Sequence, residues 1–236
     1  MDDRKSYKLI MTEIAEEIKT DNQVKSKKRV TDHGEVFTDH KEVNAMLDLV
    51  KQETENIESR FLEPACGTGN FLVEILRRKL TIVEKRYSKS QLEFERYAIA
   101  ALCSIYGVEL LSDNVKECRQ RLLGIFTHFY ISNFIKAKSN FLQSAEFILS
   151  RNILCGDALS LTDANHKPIV FSEWAFVKGS FIKRKDFIFE ELIPNEKKDL
   201  FGAAIVEETG KPDFNPIPIK DYPLTHFLNL ADGNGE

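Results

Sequence analysis

Two glycines and an acidic residue stand close together in residues 61–72, whose sequence is FLEPACGTGNFL. Gly67 and Gly69 follow a short apolar run, and Glu63 lies just before them. Glycines at a strand-to-helix turn let the backbone approach a ligand, which side chains would block. The first N–H groups of the next helix lack intrahelical partners and are good donors. The segment therefore predicts a ligand-binding glycine loop.

The acid before the loop indicates what kind of ligand it takes. A pyrophosphate loop typically has the pattern G-x-G-x-x-G without a preceding acid, because a carboxylate would repel phosphate. Glu63 instead suits a cationic ligand that carries an amino group and a sulfonium. The sequence therefore favours S-adenosylmethionine (SAM) over NAD as the cofactor.

Two further acids follow predicted strands. Glu109 lies in the strand predicted over residues 107–110, and Asp157 ends the one predicted over 152–157. A carboxylate at the end of the second strand can accept both ribose hydroxyls, and Asp157 is placed for the adenine amino group. Either acid could instead be a helix cap or a surface residue. The distance from Gly69 to Glu109 also exceeds the about 20 residues of a dinucleotide unit.

Alternating apolar patterns predict an α/β fold for the elements that position these residues. Strands that alternate with helices are typical of a doubly wound parallel sheet, in which ligands bind at the carboxyl ends of the strands. Ser112 or Asp113 is predicted to cap the helix after the second strand. The predicted strands are residues 60–63, 107–110 and 152–157, and the helices are 7–19, 41–50, one from 71, 91–105, one from about 112, and 134–149.

The pattern changes after Asp157. Residues 168–177 and 181–189 are β-like and joined by Lys178-Gly179, which predicts a hairpin, and the last forty residues are Pro-rich and irregular. The predicted organisation is an N-terminal helix and basic linker (1–29), a cofactor-binding core (30–165), and a β-hairpin with a Pro-rich C-terminal region (166–236).

Composition excludes several classes of protein. With 42% hydrophobic and 30% charged residues, the chain has a globular composition. It lacks an apolar run long enough for a transmembrane helix, and its N-terminus is acidic where a secretory signal would be basic, so we expect a cytoplasmic protein without membrane contact. The four cysteines form no C-x-x-C motif. His33 and His40 are too few to form a metal site, so no metal is expected.

Charge limits how the chain would contact nucleic acid. The net charge is −4, so any such contact would depend on local patches. The basic run Lys25, Lys27, Lys28 and Arg29 could contact phosphates, or it could be a solvated linker.

Four segments resemble the γ-class N6-adenine DNA methyltransferases of restriction–modification systems. LEPACGTGNFL resembles their SAM-binding motif I, and GEVFT (residues 34–38) resembles motif X, with Asp39 where the family usually has proline. YGVELLSDNVKECRQRL resembles motif II, and NILCGDAL resembles motif III. The order X, I, II, III is that of the γ class, and the resemblance covers roughly residues 30 to 160.

The resemblance implies a Rossmann-like, seven-stranded SAM-dependent methyltransferase sheet with helices on both faces. It also implies SAM as cofactor and adenine in double-stranded DNA as methyl acceptor. By position, Phe37 and Thr38 would contact the methionine end of SAM, and Glu109 and Asp157 would hold the ribose and the adenine ring. The residues that would line the loop are Glu63, Ala65, Gly67 and Gly69.

The catalytic turn of that family is missing from the sequence. These enzymes have (N/D/S)-P-P-(Y/F) after the fourth strand, where an amide oxygen and a backbone carbonyl accept the N–H bonds of a flipped adenine and an aromatic ring stacks on it. The nearest string contains Asn215 and Pro216 but lacks the second proline and the aromatic. It is also typical of a plain Pro-rich turn.

Several functions follow as alternatives. The first is a DNA adenine-N6 methyltransferase of a restriction–modification or phage-defence system, or its cofactor-binding part. The second is a non-catalytic or split-enzyme subunit that binds SAM or DNA and needs a second protein for the catalytic turn and target recognition. A methyltransferase for RNA or protein is disfavoured by the motif X segment, and a dehydrogenase is disfavoured by Glu63.

Overall fold

Helices and two small sheets make up the part of the chain that the structure describes. The computed structural model describes residues 25–33, 36, 38–193 and 216–232. The helix predicted over residues 7–19 lies outside these ranges.

The order of elements alternates strands and helices up to residue 155. The helices are α1 (Lys27–His33), α2 (His40–Asp48), α3 (Lys51–Thr54), α4 (Asn70–Tyr87), α5 (Gln91–Cys103), α6 (Ser112–Asn133) and α7 (Ser139–Asn152). The strands are β1 (Phe61–Glu63), β2 (Ile105–Glu109), β3 (Ile153–Cys155), β4 (Val170–Lys178), β5 (Phe181–Ile188), β6 (Lys220–Asp221) and β7 (Thr225–His226). Short 3-10 turns cover Phe189–Leu192 and Phe227–Asn229.

A parallel sheet of three strands carries the glycine loop. Its order is β1-β2-β3, with Glu63 opposite Gly107 and Glu109 opposite Cys155. The predicted α/β fold with a parallel sheet is therefore confirmed. The element bounds shift slightly: the helix predicted to reach residue 105 ends at Cys103, since Ile105 already pairs with Phe61 in the sheet.

The two faces of the parallel sheet are covered differently. On one face Gly107 lies against the loop and α4, where a Cβ would stand 2.9 Å from Cys66 Sγ and 3.0 Å from Leu72 Cδ1. This contact explains the glycine, because a side chain would push α4 off the sheet. On the opposite face Tyr106 packs edge-to-face on Phe171 of β4, with ring centroids 5.5 Å apart.

The predicted hairpin is confirmed as antiparallel β4 and β5, which turn at Gly179. Buried Trp174 of β4 donates its indole N–H to Asn152 Oδ1 (2.8 Å), and Asn152 Nδ2 donates to the carbonyl of Ile105 in β2 (3.0 Å). The hairpin therefore shares a core with the parallel sheet. In the region predicted to be irregular, the two-residue strands β6 and β7 pair with β5.

The predicted basic linker contains a helix instead. Residues 27–33 form α1, and Ser26 caps its start by accepting the Arg29 backbone N–H at Oγ (3.2 Å). This helix lacks an apolar stripe, so periodicity gives no signal for it. In the described residues no helix is both long and apolar enough to span a membrane.

A buried lysine supports the start of β1. Lys79 of α4 is fully buried, and its Nζ donates to the carbonyls of Ile57 (3.1 Å) and Ser59 (2.5 Å) and to Ser104 Oγ (2.8 Å). Burial lowers the pKa of this amine to about 7. Lys79 thus satisfies the carbonyls of the loop that leads into the sheet.

The free energy of unfolding is expected to rise by about 1 kcal/mol between pH 7 and 8 through Lys79 alone. The folded chain releases this proton near pH 7, while the unfolded chain keeps it up to about 10.5, so the unfolded state binds more protons in this window. Urea unfolding at both pH values should show the rise reduced by that amount in Lys79→Met. Lys85→Met, on the exposed surface of α4, serves as the control. If the unfolding free energy rises equally with pH in both variants, the rise does not come from Lys79.

Candidate functional site

The glycine loop begins directly after β1 and ends where α4 begins. Gly67 and Gly69 have φ of 52° and 90°, the left-handed region that favours glycine. The Cys66 N–H donates to the Val108 carbonyl (2.9 Å), and the Gly69 N–H donates to the Cys66 carbonyl (2.8 Å). The loop is thereby attached to the carboxyl end of β2 and closed on itself.

Glu109 is the centre of the hydrogen bonds that hold the loop. Its Oε2 accepts the Gly67 N–H (2.9 Å), and its Oε1 accepts the Leu111 N–H (3.0 Å) and Asn114 Nδ2 (3.3 Å). The side chain is nearly buried. A carboxylate has about four acceptor positions, so these three donors leave about one position for a ribose hydroxyl.

The cap of α6 differs from the prediction. Ser112 is already the first residue of the helix, and the preceding Leu111 has no side-chain cap hydrogen bond. Glu109 accepts the Leu111 N–H instead, so this acid caps the helix, a role that was predicted for Ser112 or Asp113. The helix-cap alternative for Glu109 is therefore part of its role.

Glu63 lies at the exposed side of the loop. It is half-buried at the end of β1, and the neighbouring Ala65 is exposed. Burial raises the pKa of the Glu63 carboxyl, and a hydrogen bond from the Ala65 backbone N–H opposes that rise. A cation at this position would relieve the cost of burying the charge.

Asp157 stands two residues beyond β3, next to the other acids. The Gly156 N–H donates to the Glu109 carbonyl (3.0 Å), which fixes the chain at this point against the end of β2. Asp157 Oδ1 accepts the backbone N–H of Leu159 (2.8 Å), and Leu159 is itself 96% exposed. The sheet thus brings Glu63, the loop, Glu109 and Asp157 to one edge.

The segment before α2 reaches the same edge. Asn70 Nδ2 donates to the Thr38 carbonyl (2.9 Å), and Arg121 Nη1 donates to Asn70 Oδ1 (2.8 Å). Thr38 therefore lies against the first residue of α4. Phe37 lies outside the described residues.

The basic residues of α1 and its approach pair with the start of α6. Arg29 forms two hydrogen bonds with Asp113 (2.6 and 3.3 Å), and Lys25 Nζ lies 2.6 Å from Glu117 Oε2. Lys25 and Arg29 also donate to Asn114 Oδ1 (2.8 and 3.2 Å, respectively), and the amide nitrogen of Asn114 donates to Glu109. Two of the four basic residues predicted to contact phosphates or solvent are thus held by α6.

A groove of about 420 Å³ lies beside the site, between α6 and α7. It begins at Ser112 and Cys155, and none of the loop residues lines it. Arg119 in its wall already donates to the carbonyls of Ile153 and Ser150. The groove is therefore adjacent to the glycine loop and separate from it.

Of the two catalytic candidates, Pro216 is not brought to this edge. Pro216 lies in the extended segment that leads into β6, which pairs with β5 in the antiparallel sheet. Asn215 lies outside the described residues. Across the described ranges, no three His, Cys, Asp or Glu side chains are grouped so that they could hold a metal ion.

Two residues that hydrogen-bond to the candidate site were not predicted from the sequence. Asn114 contacts Glu109, and Arg121 contacts the loop at Thr68. The two are seven residues apart on α6, which places them on the same helix face. Their seven-residue spacing, on the helix that follows Glu109, is the sequence signal that could have identified them.

The comparisons with known proteins return no relative. No family model matches the chain, and neither a curated protein nor a solved structure is similar to it.

Proposed function

We propose that this chain binds SAM and is a SAM-dependent DNA adenine-N6 methyltransferase. The observation that carries the proposal is the carboxyl edge of the β1-β2-β3 sheet, where Glu63, the glycine loop, Glu109 and Asp157 meet. Open α/β sheets bind ligands at this edge. Under this proposal, the sheet is part of the Rossmann-like fold of SAM-dependent methyltransferases.

Charge supports SAM over a dinucleotide. A half-buried carboxylate at position 63, beside the exposed residues Pro64 and Ala65, favours a cationic group and disfavours a pyrophosphate. The methionine end of SAM would lie near Glu63 and Thr38, with the ribose near Glu109 and the adenine near Asp157. DNA as the acceptor rests on the sequence resemblance.

A second candidate is a subunit that binds SAM and obtains its catalytic turn from a partner protein. Within the described ranges the parallel sheet has three strands, and Pro216 lies before a strand of the other sheet. The described part of the chain therefore offers no turn with hydrogen-bond acceptors and an aromatic ring for a flipped adenine at the carboxyl edge. Methyl transfer would then require both chains.

Titration with SAM by calorimetry tests the proposal. We expect saturable binding that Glu63→Gln combined with Asp157→Asn weakens by about a hundredfold or more, because each hydrogen bond to a charged group contributes about 1.5–3 kcal/mol and about 1.4 kcal/mol is a tenfold change. NAD should bind poorly to the unsubstituted chain. Absence of SAM binding at millimolar concentration would refute the proposal.

The matched control is Glu173→Gln. Glu173 lies on β4, paired with Arg60 at the amino end of β1, so its change alters the net charge away from the loop. It should leave SAM affinity unchanged. Transfer of a labelled methyl group to duplex DNA then separates the two candidates: transfer by the chain alone supports the first, and binding without transfer supports the second.

A further inference from the structure

Arg121 of α6 donates three hydrogen bonds to the loop and to α4. Its Nη1 lies 2.7 Å from the Thr68 carbonyl, 3.0 Å from Thr68 Oγ1 and 2.8 Å from Asn70 Oδ1. All three acceptors are neutral, and burial lowers the pKa of the guanidinium. A largely buried cation on neutral acceptors is costly, so its place under the loop calls for a role beyond packing.

The bond to Asn70 sets the direction of that amide. Because Arg121 donates to Oδ1, the Nδ2 group must point the other way, where it donates to the Thr38 carbonyl (2.9 Å). Arg121, Asn70 and Thr38 thus form one chain of hydrogen bonds. It links α6 to the loop and to the segment that precedes α2.

We propose that Arg121 is a positioning residue for SAM, which fixes the glycine loop and, through Asn70, holds the Thr38 segment against the cofactor site. The inference rests on the proposed function. Arg121 acts on SAM through Thr68 and Asn70 and not by contact.

The test measures SAM affinity in Arg121→Met and in Asn70→Ala. Each variant breaks the series of hydrogen bonds from Arg121 through Asn70 to Thr38, and we expect each to weaken SAM binding by about tenfold. Asn70→Ala keeps Arg121 and its bonds to Thr68, so it tests the link even where Arg121→Met folds poorly. Arg121→Lys retains one charged donor and should recover part of the affinity.

Arg119→Met is the matched control. Arg119 is an arginine on the same helix, but it donates to the Ile153 and Ser150 carbonyls and not to the loop. It should lower stability while SAM affinity stays within about twofold of the unsubstituted chain. Equal weakening by both arginine variants would show a merely structural role and overturn the inference.

Hydrogen exchange gives a readout that needs no cofactor. Amides of residues 38–43 should exchange faster in Asn70→Ala and Arg121→Met than in Arg119→Met. SAM binding that survives both variants would refute the positioning role alone. If the unsubstituted chain fails to bind SAM, the proposed function is refuted, and with it the inference.

Discussion

Alanine in place of Gly69 is expected to lower the free energy of unfolding by roughly 2–5 kcal/mol and to abolish SAM binding. At φ of 90° an L side chain is strained by about 1–2 kcal/mol. The added Cβ would also stand 2.6 Å from Cys118 Sγ, a contact that requires the loop or α6 to shift. Because α6 is packed there through a fully buried cysteine, overpacking adds about 1–3 kcal/mol. Urea unfolding and SAM titration measure the two effects.

Gly179→Ala separates strain from crowding. Gly179 has φ of 56°, and nothing lies within 4 Å of the Cβ that it would acquire, so only the backbone strain is paid there. Gly179→Ala should therefore lose less stability than Gly69→Ala, and it should still bind SAM. Cys118→Ala should restore part of the stability of Gly69→Ala by removing the sulfur. Equal losses at positions 69 and 179 would contradict the close packing of the loop on α6.

The strand, loop and helix around Gly67 could be predicted because their signals are local. A short apolar run, a glycine turn and a periodic helix follow one another within residues 61–76. The alternation of such units was enough to predict the parallel sheet. Placing Glu63 and Asp157 at one edge required only that parallel strands end on the same side.

The partners of Glu109 and Arg121 could not be predicted in the same way. Gly67 is 42 residues from Glu109, and Asn70 is 51 residues from Arg121. Such pairs depend on how α4 and α6 pack against the sheet, which no local pattern encodes. The sequence could identify Glu109 as an acid at a strand end, but not the three donors that occupy its oxygens.

Helix α1 illustrates a different limit. Its residues are basic and polar, a composition that predicts a solvated linker. In the fold, Lys25 and Arg29 find Asp113, Asn114 and Glu117 at the start of α6, more than eighty residues away. Each exposed ion pair contributes at most about 1 kcal/mol, but together with the Ser26 cap they favour a helix where periodicity gives none. The acids that attract these cations adjoin the candidate cofactor site.

Glu109→Gln is expected to lower the free energy of unfolding by about 2–4 kcal/mol, although glutamine has nearly the same shape. All three partners of the carboxylate are donors: the Gly67 and Leu111 N–H groups and Asn114 Nδ2. Whichever way the amide turns, its own N–H groups face a donor and leave it unsatisfied in a nearly buried place. Glu173→Gln, half-exposed and paired with Arg60, should change stability by no more than about 0.5 kcal/mol.

The same variant separates the two roles of Glu109. Loss of stability follows from the loop and helix contacts alone, whereas a ribose contact adds a loss of discrimination between SAM and its 2′-deoxy analogue. We expect the unsubstituted chain to prefer SAM, and Glu109→Gln, measured where it is folded, to bind both alike. A preference that survives the substitution would assign Glu109 to the scaffold and the ribose to another residue. The stability loss would then still stand, because its cause lies entirely in hydrogen bonds made without the cofactor.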